Sequence, residues 1–177
     1  LQYENVSLDS YPCAVLVNSE IAMPEYIEKH QIEYRQSPLT SDNDVPLEFT
    51  NEIYSTATLS RDSMIKVWEW TWTTRLGHTL GITQSFMSAL LVKSPMPYSV
   101  FYSEWFEYIT NSDGILNKEY NKWRSHLLTG NTYKFVYGYD YLESLIHNNR
   151  DKLIKDLETF LIQRIGLTTA DSVTLSL

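Results

Sequence analysis

The sequence predicts a mostly α fold, a helical bundle-like domain with a small extended β element near its N-terminus. Three observations predict it. Met64, Ile65, Trp68, Trp72, Leu76 and Leu80 recur at helical spacing, with Arg61, Lys66, Glu69 and Thr73 on the other side. Similar apolar stripes return in three later segments. Strand-like alternation is confined to the first third, where Ile32 and Tyr34 interleave with Glu33 and Arg35.

Taken in order, the apolar run Cys13-Ala14-Val15-Leu16-Val17 has the length and β-branching of a buried strand. Asn18 and Ser19 break it. Pro24 suits the first turn of a helix through His30, with acids early and bases late. Residues 32–35 read as extended, 37–46 as a loop rich in Pro, Ser, Asp and Asn, and 47–59 as extended again. Ser60 is the expected N-cap of the long helix that carries the Trp stripe, with Asp62 in its first turn. Gly81-Ile82 breaks that helix. A second follows with Phe86, Met87, Leu90 and Leu91 inward, ended by Pro95 and Pro97.

Ser99 is the expected cap of a helix from Val100 to Ile109. Its Phe101, Trp105, Tyr108 and Ile109 lie on one face and Tyr102 and Phe106 on another, so both faces should be covered. Asn111-Ser112-Asp113-Gly114 is a turn. Residues 116–128 form a helix with Leu116, Tyr120, Trp123, Leu127 and Leu128 inward and Gly130 as its stop. Residues 131–140 are Tyr-rich and read as extended. A short helix over 141–147 and a long one over 149–165 follow, and Gly166 ends the last.

Composition limits the function classes. The chain has 177 residues, 43% apolar and 20% charged, which excludes a disordered chain. A chain this long buries roughly 70% of its unfolded surface, so it needs no metal or disulfide staple. The single cysteine, Cys13, cannot supply a disulfide within the chain, a four-cysteine zinc site or an iron–sulfur cage. The absence of a disulfide pattern points to a cytoplasmic setting. A net charge of −8 argues against nucleic acid as partner. No apolar run reaches the roughly 20 residues of a membrane span, and no signal peptide opens the chain. Leu1 in place of Met points to a processed chain or a segment cut from something longer. With 6 glycines, few phosphate-cradling loops are expected; with 14% aromatics, large buried areas are.

The chemistry-bearing residues do not form a recognisable catalytic pattern. His30, His78, His126 and His147 have no partner at metal-ligand spacing. No G-x-S-x-G occurs, and Cys13 lies in an apolar run where a thiol is usually inert. Gly77-His78-Thr79-Leu80-Gly81 lacks the Lys-Ser/Thr of a phosphate loop and reads as a packed helix junction. Glu104 with Glu107 and Glu48 with Glu52 have the spacing of acid/base couples, but the plainer reading is solvated surface. Asn5-Val6-Ser7 fits a glycosylation sequon by chance spacing. Trp68 and Trp72 share the inward stripe. Trp70 lies about 200° from Trp68 on the helical wheel and falls off it. Trp70, His78, Tyr102 and Phe106 are the expected contact surface, covered by a second layer. No catalytic, cofactor-binding or metal-binding residue is expected in the chain.

Three passages resemble one family. Leu16-Val17-Asn18-Ser19-Glu20-Ile21-Ala22-Met23-Pro24-Glu25-Tyr26-Ile27-Glu28-Lys29-His30-Gln31-Ile32-Glu33 is similar to the "LLPNSPMAxPEYxxKYGIE" passage of cobalamin-binding radical-SAM proteins. Asn51-Glu52-Ile53-Tyr54-Ser55-Thr56-Ala57-Thr58-Leu59-Ser60-Arg61-Asp62-Ser63-Met64 resembles their "xEIVxxTxTMSREDM". The stretch from Trp72 to Ile82 and Phe101-Tyr102-Ser103-Glu104-Trp105-Phe106-Glu107-Tyr108 resemble the helix that follows, with its "LGL", and the "FYEALLEY" helix. Val17 and Glu20 stand where the family passage has prolines. The resemblance covers about residues 14–110 and implies a helical C-terminal accessory region of a larger Fe–S oxidoreductase or methyltransferase. In such a protein an iron–sulfur cluster, S-adenosylmethionine and cobalamin are held elsewhere. Residues 1–22 would then be a remnant of the preceding barrel, 23–167 the accessory domain and 168–177 a loose tail. Its partners would be the radical-SAM barrel of the same polypeptide and an unknown small-molecule substrate. The alternatives are a stand-alone helical module that binds a protein or peptide, and a small hydrolase.

Overall fold

The computed structural model describes residues 13–38, 49–84, 87, 96–129 and 139–168. Of the expected loop over 37–46, residues 37 and 38 belong to a strand, and of the expected extended stretch over 131–140, residues 139 and 140 belong to a helix; the rest of both, most of the helix after Gly81, the stop at Gly130, the sequon, Glu48 and the tail from 169 lie outside the described residues. Among the described residues the fold is mostly helical with one small antiparallel sheet near the N-terminus. They divide into two compact units. One holds 13–38, 49–71 and 126–129; the other holds 72–84, 87, 96–125 and 139–168.

In the first unit, a 3-10 turn at Glu20–Ala22 leads into helix α1, Pro24–His30. Proline opens α1 without loss, because the first helical N–H has no acceptor in any case. Glu25 sits in the first turn and Lys29 and His30 in the last, as the helix dipole favours. Gln31 ends α1 in the left-handed region, φ 48°, and turns the chain into strand β1, Glu33–Pro38. Strand β2, Phe49–Ser55, pairs with it antiparallel, with Arg35 opposite Glu52 and Tyr34 opposite Ile53.

The apolar run 13–17 departs from its expected form as a buried strand. Val15 alone is buried, while Cys13, Leu16 and Val17 are exposed. Its pairing is one bridge, Ala14 to Glu52, flanked by Val15 N–H to Asn51 O at 2.7 Å and Ile53 N–H to Cys13 O at 2.9 Å. The reason is local. The Ser19 N–H and hydroxyl both donate to the Leu16 carbonyl, at 2.9 and 2.6 Å, and this turn carries the chain off the ladder. Val15, Ile32 and Ile53 form the core, with Ile21, Ala22, Tyr26, Ile27 and Met64 packed around it.

The opposite face of the hairpin is polar. Glu52 is 3% exposed, so it corrects the reading of that acid as solvated surface. Arg35 Nε lies 3.6 Å from Glu52 Oε2, and Arg35 Nη1 donates to the Leu127 carbonyl at 3.2 Å. The Arg35 guanidinium also sits 4.9 Å from the Tyr54 ring centroid. Arg61 takes the Tyr54 ring as well, at 4.7 Å, and its Nε donates to the Tyr54 hydroxyl at 2.7 Å.

A turn closed by Thr56 N–H to Leu59 O leads to Ser60, whose hydroxyl accepts from the Ser63 N–H at 3.3 Å. This is the expected cap, and helix α2, Arg61–Thr74, follows. Trp68, Trp72 and Leu76 are buried as expected, but so are Glu69 and Thr73. The buried arc of α2 is therefore wider than one stripe, and the exposed side is confined to Arg61, Asp62, Lys66, Val67 and Trp70.

In the second unit, α2 runs on into a π-helical turn, Arg75–Thr79. Helix α3 is Tyr98–Asn111, α4 begins at Ile115 and runs to Thr129, α5 is Tyr139–Asn148 and α6 is Arg150–Phe160. A second π turn, Leu161–Ile165, follows α6 and stops at Gly166, whose φ of 78° suits glycine. The expected Ser99 cap is not made. Pro97 is the N-cap and supplies the carbonyl that Val100 and Phe101 N–H bond, so α3 starts two residues early. Leu128 is exposed, because Leu116, Tyr120, Trp123 and Leu127 already fill the inward arc of α4.

Aromatic packing builds this unit. Phe160 of α6 meets Phe101, Trp105 and Tyr108 of α3 at centroid distances of 5.4, 5.0 and 5.4 Å. Trp72 stacks on Trp123 at 5.6 Å and sets its edge to Tyr120 at 5.8 Å. Each such pair adds about 0.5–1.5 kcal/mol beyond the area it buries.

The start of α4 depends on a partner from another helix. The Leu116 N–H donates to Asp156 Oδ2 at 2.9 Å. A Cβ on Gly114 would collide with that same carboxylate, so glycine is needed for close approach there. Asp156→Ala should lower stability by about 1 kcal/mol through loss of the cap. Gly114→Ala should cost about 1–3 kcal/mol by overpacking. Because the carboxylate is the obstacle, Gly114→Ala should cost much less in the Asp156→Ala background, a non-additivity that urea unfolding of the four proteins measures.

Candidate functional site

The most constrained place in the second unit is the π turn after α2. The Leu80 N–H reaches back to the Arg75 carbonyl at 3.0 Å, a spacing of five residues that widens the helix. Arg75 is 3% exposed and Leu76 fully buried. Gly77 follows. A Cβ there would lie 3.0 Å from Trp105 Nε1, 3.1 Å from Thr83 Oγ1 and 3.2 Å from Tyr102 Cε1. Its carbonyl accepts from the Thr83 N–H at 2.9 Å. The segment is the packed helix junction that its two glycines imply.

Around Gly77 the polar groups are matched. Thr83 Oγ1 and the Tyr102 hydroxyl are 3.2 Å apart, both buried. Burial pushes the Tyr102 phenol above its ordinary range, against the pull of the Thr83 hydrogen bond. The Trp105 indole N–H donates to the Thr73 carbonyl at 3.3 Å. His78 sets its ring edge-on to Tyr102 at 6.1 Å, and Tyr98 stacks on Tyr102 at 6.4 Å with 37% of its surface exposed. The arrangement is a phenol fixed in an aromatic stack, with its hydroxyl committed to a threonine.

A second feature is a cleft of about 310 Å³ lined by Tyr108, residues 111–113, Thr159, Gln163 and Arg164. Arg164 bridges Glu104 and Glu107 at 3.5 and 3.6 Å. The acid pair that spacing offers as a general acid/base couple is thus an exposed pair held by one guanidinium. Burial, with the nearby Asp156 charge, pushes the Tyr108 phenol up to about 12. The phenol therefore stays protonated across the ordinary pH range.

Of the expected contact residues, the fold brings His78 and Tyr102 together. Phe106 sits one turn further along α3, half-buried, edge to face with Tyr120 at a centroid distance of 6.5 Å. Trp70 belongs to the first unit and is 37% exposed. Sequence reading missed Thr83 and Arg75, whose positions depend on the π turn. The signal present was Gly77, four residues before Gly81. Cys13 is exposed, correcting its reading as a thiol inside an apolar run. Among the described residues, no group of three or more His, Cys, Asp or Glu side chains is placed to hold a metal ion. No described helix is long and apolar enough to cross a membrane. Comparison with protein-family models and with curated proteins gives no match.

The Tyr108 phenol has a pH consequence. Its folded-state pKa lies above the ordinary 10.0, so the folded protein holds that proton more tightly than the unfolded chain. The stability this gives is fully present below pH 10 and is lost as pH rises from 10 to about 12. Unfolding free energies measured across that window should fall for the natural protein, and the fall should be shallower in Tyr108→Phe.

Proposed function

We propose that this chain is a non-catalytic helical accessory region of a cobalamin-dependent radical-SAM protein. In this reading it lies against the barrel of the same polypeptide and shields the substrate cavity from water. Water exclusion is what a cover contributes to reactive-intermediate chemistry. The iron–sulfur cluster, S-adenosylmethionine and cobalamin belong to the rest of that protein, an Fe–S oxidoreductase or methyltransferase acting on a small molecule. The setting is cytoplasmic.

The observation that carries the reading is the order and spacing of the three resembling passages. Each coincides with a structural piece. The first runs from the turn at Leu16 through the 3-10 turn and α1 to the first residue of β1. The second is β2, the Thr56 turn and the start of α2, and it contains the buried Glu52. The third is the end of α2 with its π turn, then α3. Leu16, Val17 and Met23, all in the first passage, are exposed apolar residues of the kind a covering neighbour would bury.

A stand-alone interaction module is the second reading. Val67 and Trp70, one turn apart on α2 and exposed at 48% and 37%, favour it. The natural gene separates the two. A continuous frame upstream of Leu1 that encodes C-x-x-x-C-x-x-C is the expected result. A start codon next to Leu1, or an upstream frame without those cysteines, overturns the accessory reading. Concentration-dependent association of the chain in sedimentation would then support the second.

A further inference from the structure

We propose that Asp113-Gly114 is a self-modifying junction, where the backbone converts spontaneously to the isoaspartyl form, loses the cap of α4 and becomes a substrate for an isoaspartyl-directed methyltransferase. The inference is independent of the accessory-domain reading, since it rests on the turn between α3 and α4.

The sequence holds one Asp-Gly pair and no Asn-Gly pair. Glycine after an acid has no side chain to obstruct ring closure onto its own nitrogen, and its backbone freedom lets the turn reach the ring geometry. The fold leaves this pair available. Asp113 is exposed and lies between the end of α3 at Asn111 and the start of α4 at Ile115. Among the described residues, none accepts from the Gly114 N–H and none donates to the Asp113 carboxylate. The comparable pairs with serine are held. In Asn18-Ser19 and Asn111-Ser112 the serine N–H donates to the Leu16 and Tyr108 carbonyls, each at 2.9 Å. In Asp62-Ser63 it donates to Ser60 Oγ at 3.3 Å. An N–H engaged in this way is not free to attack the preceding side chain.

The chemistry is an internal condensation. With the Asp113 carboxyl protonated, the Gly114 nitrogen attacks Cγ and a C–N bond forms. The carboxyl hydroxyl leaves as water with the amide proton. In the resulting succinimide, Cγ and the main-chain carbonyl carbon of Asp113 share that nitrogen. Water then returns at one of the two carbons. Attack at Cγ restores the aspartate. Attack at the main-chain carbon breaks its bond to nitrogen, leaves the chain running through Cβ and Cγ, and frees an α-carboxylate. A methyltransferase esterifies that carboxylate with S-adenosylmethionine. The Gly114 nitrogen then displaces methanol from the ester, and the succinimide forms again.

The surroundings give the change a consequence. Gly114 meets the Asp156 carboxylate so closely that a methyl group would collide with it. The same carboxylate accepts from the Leu116 N–H at 2.9 Å and caps α4. The isoaspartyl form puts an extra chain atom directly before Gly114, which shifts it against Asp156 and breaks the cap.

Ageing of the folded protein in mildly acidic buffer, beside a free peptide of residues 110–117, tests this. Isoaspartate is counted by methyl transfer from labelled S-adenosylmethionine and located by electron-transfer peptide mass spectrometry. It should form at Asp113 ahead of the other described Asp and Asn residues. Its rate should lie within about tenfold of the peptide's, because a turn with an unbonded N–H opens at little cost. Asp113→Glu cannot close the five-membered ring, so its methyl acceptance should fall sharply while its circular dichroism stays unchanged. A rate at Asp113 more than about tenfold below the peptide's means that the fold holds the pair apart, and overturns the proposal. Undiminished methyl acceptance in Asp113→Glu overturns it as well. The isoaspartyl protein, separated by ion exchange, should unfold at lower urea than the unaged protein, and this shift should be much smaller in the Asp156→Ala background. An equal shift in both backgrounds overturns the assigned loss of the cap.

Discussion

A carboxylate buried within a two-stranded hairpin is the constraint on which the first unit depends. Glu52 has almost no contact with solvent, and an ion taken from water costs several kcal/mol unless its charge is answered. Arg35 answers it from the opposite strand, at the register position directly across. The same guanidinium donates to the Leu127 carbonyl, in the last turn of α4, where a cation is favoured by the helix dipole. It also lies on Tyr54, whose ring and hydroxyl are held by Arg61 at the first turn of α2. One arginine thus ties together β1, β2 and residues 92 positions away in sequence. The apolar cluster of Val15, Ile32 and Ile53 is small, so charge fixation here carries weight that a larger core would make unnecessary.

The second unit solves its packing problem differently. Its core is rich in rings that meet edge to face or stack within about one ring diameter, and its helices come together where a side chain is missing. Gly77 lets α3 close on the π turn, and Gly114 admits the Asp156 carboxylate to the start of α4. Scarcity of glycine in the sequence makes these two positions more telling.

Much of the helical architecture is legible in the sequence because its signals are local. Ser60 caps α2, Pro24 opens α1 and Gly166 ends the last turn, each through geometry confined to about one turn of chain. The stripe of α3, and that of α4 apart from Leu128, also read correctly, since burial follows a 3.6-residue period. What was not legible depends on distant partners. The apolar run at 13–17 looked like a strand, yet a serine three residues on pulled it away from the ladder. Glu52 looked like surface because nothing nearby in sequence announces Arg35 across the hairpin. The junction character of Gly77 was legible from its neighbouring Gly81, but Thr83 and Tyr102 gathered around it only once the π turn was formed. Leu128 was assigned inward because it is apolar, whereas the arc of α4 was already full.

The central physical claim is that the charges of the first unit hold structure, with Arg35 and Glu52 acting as one element. A double-mutant cycle by urea unfolding tests it most directly, using Arg35→Met, Glu52→Leu and the pair. The account predicts that Arg35→Met alone costs about 3–5 kcal/mol, because it strands a buried carboxylate. It also predicts that the double variant is more stable than the sum of the single losses implies, by at least about 1 kcal/mol. Single effects that add to within about 0.5 kcal/mol would show that the two side chains stabilise the fold independently, and would contradict the account.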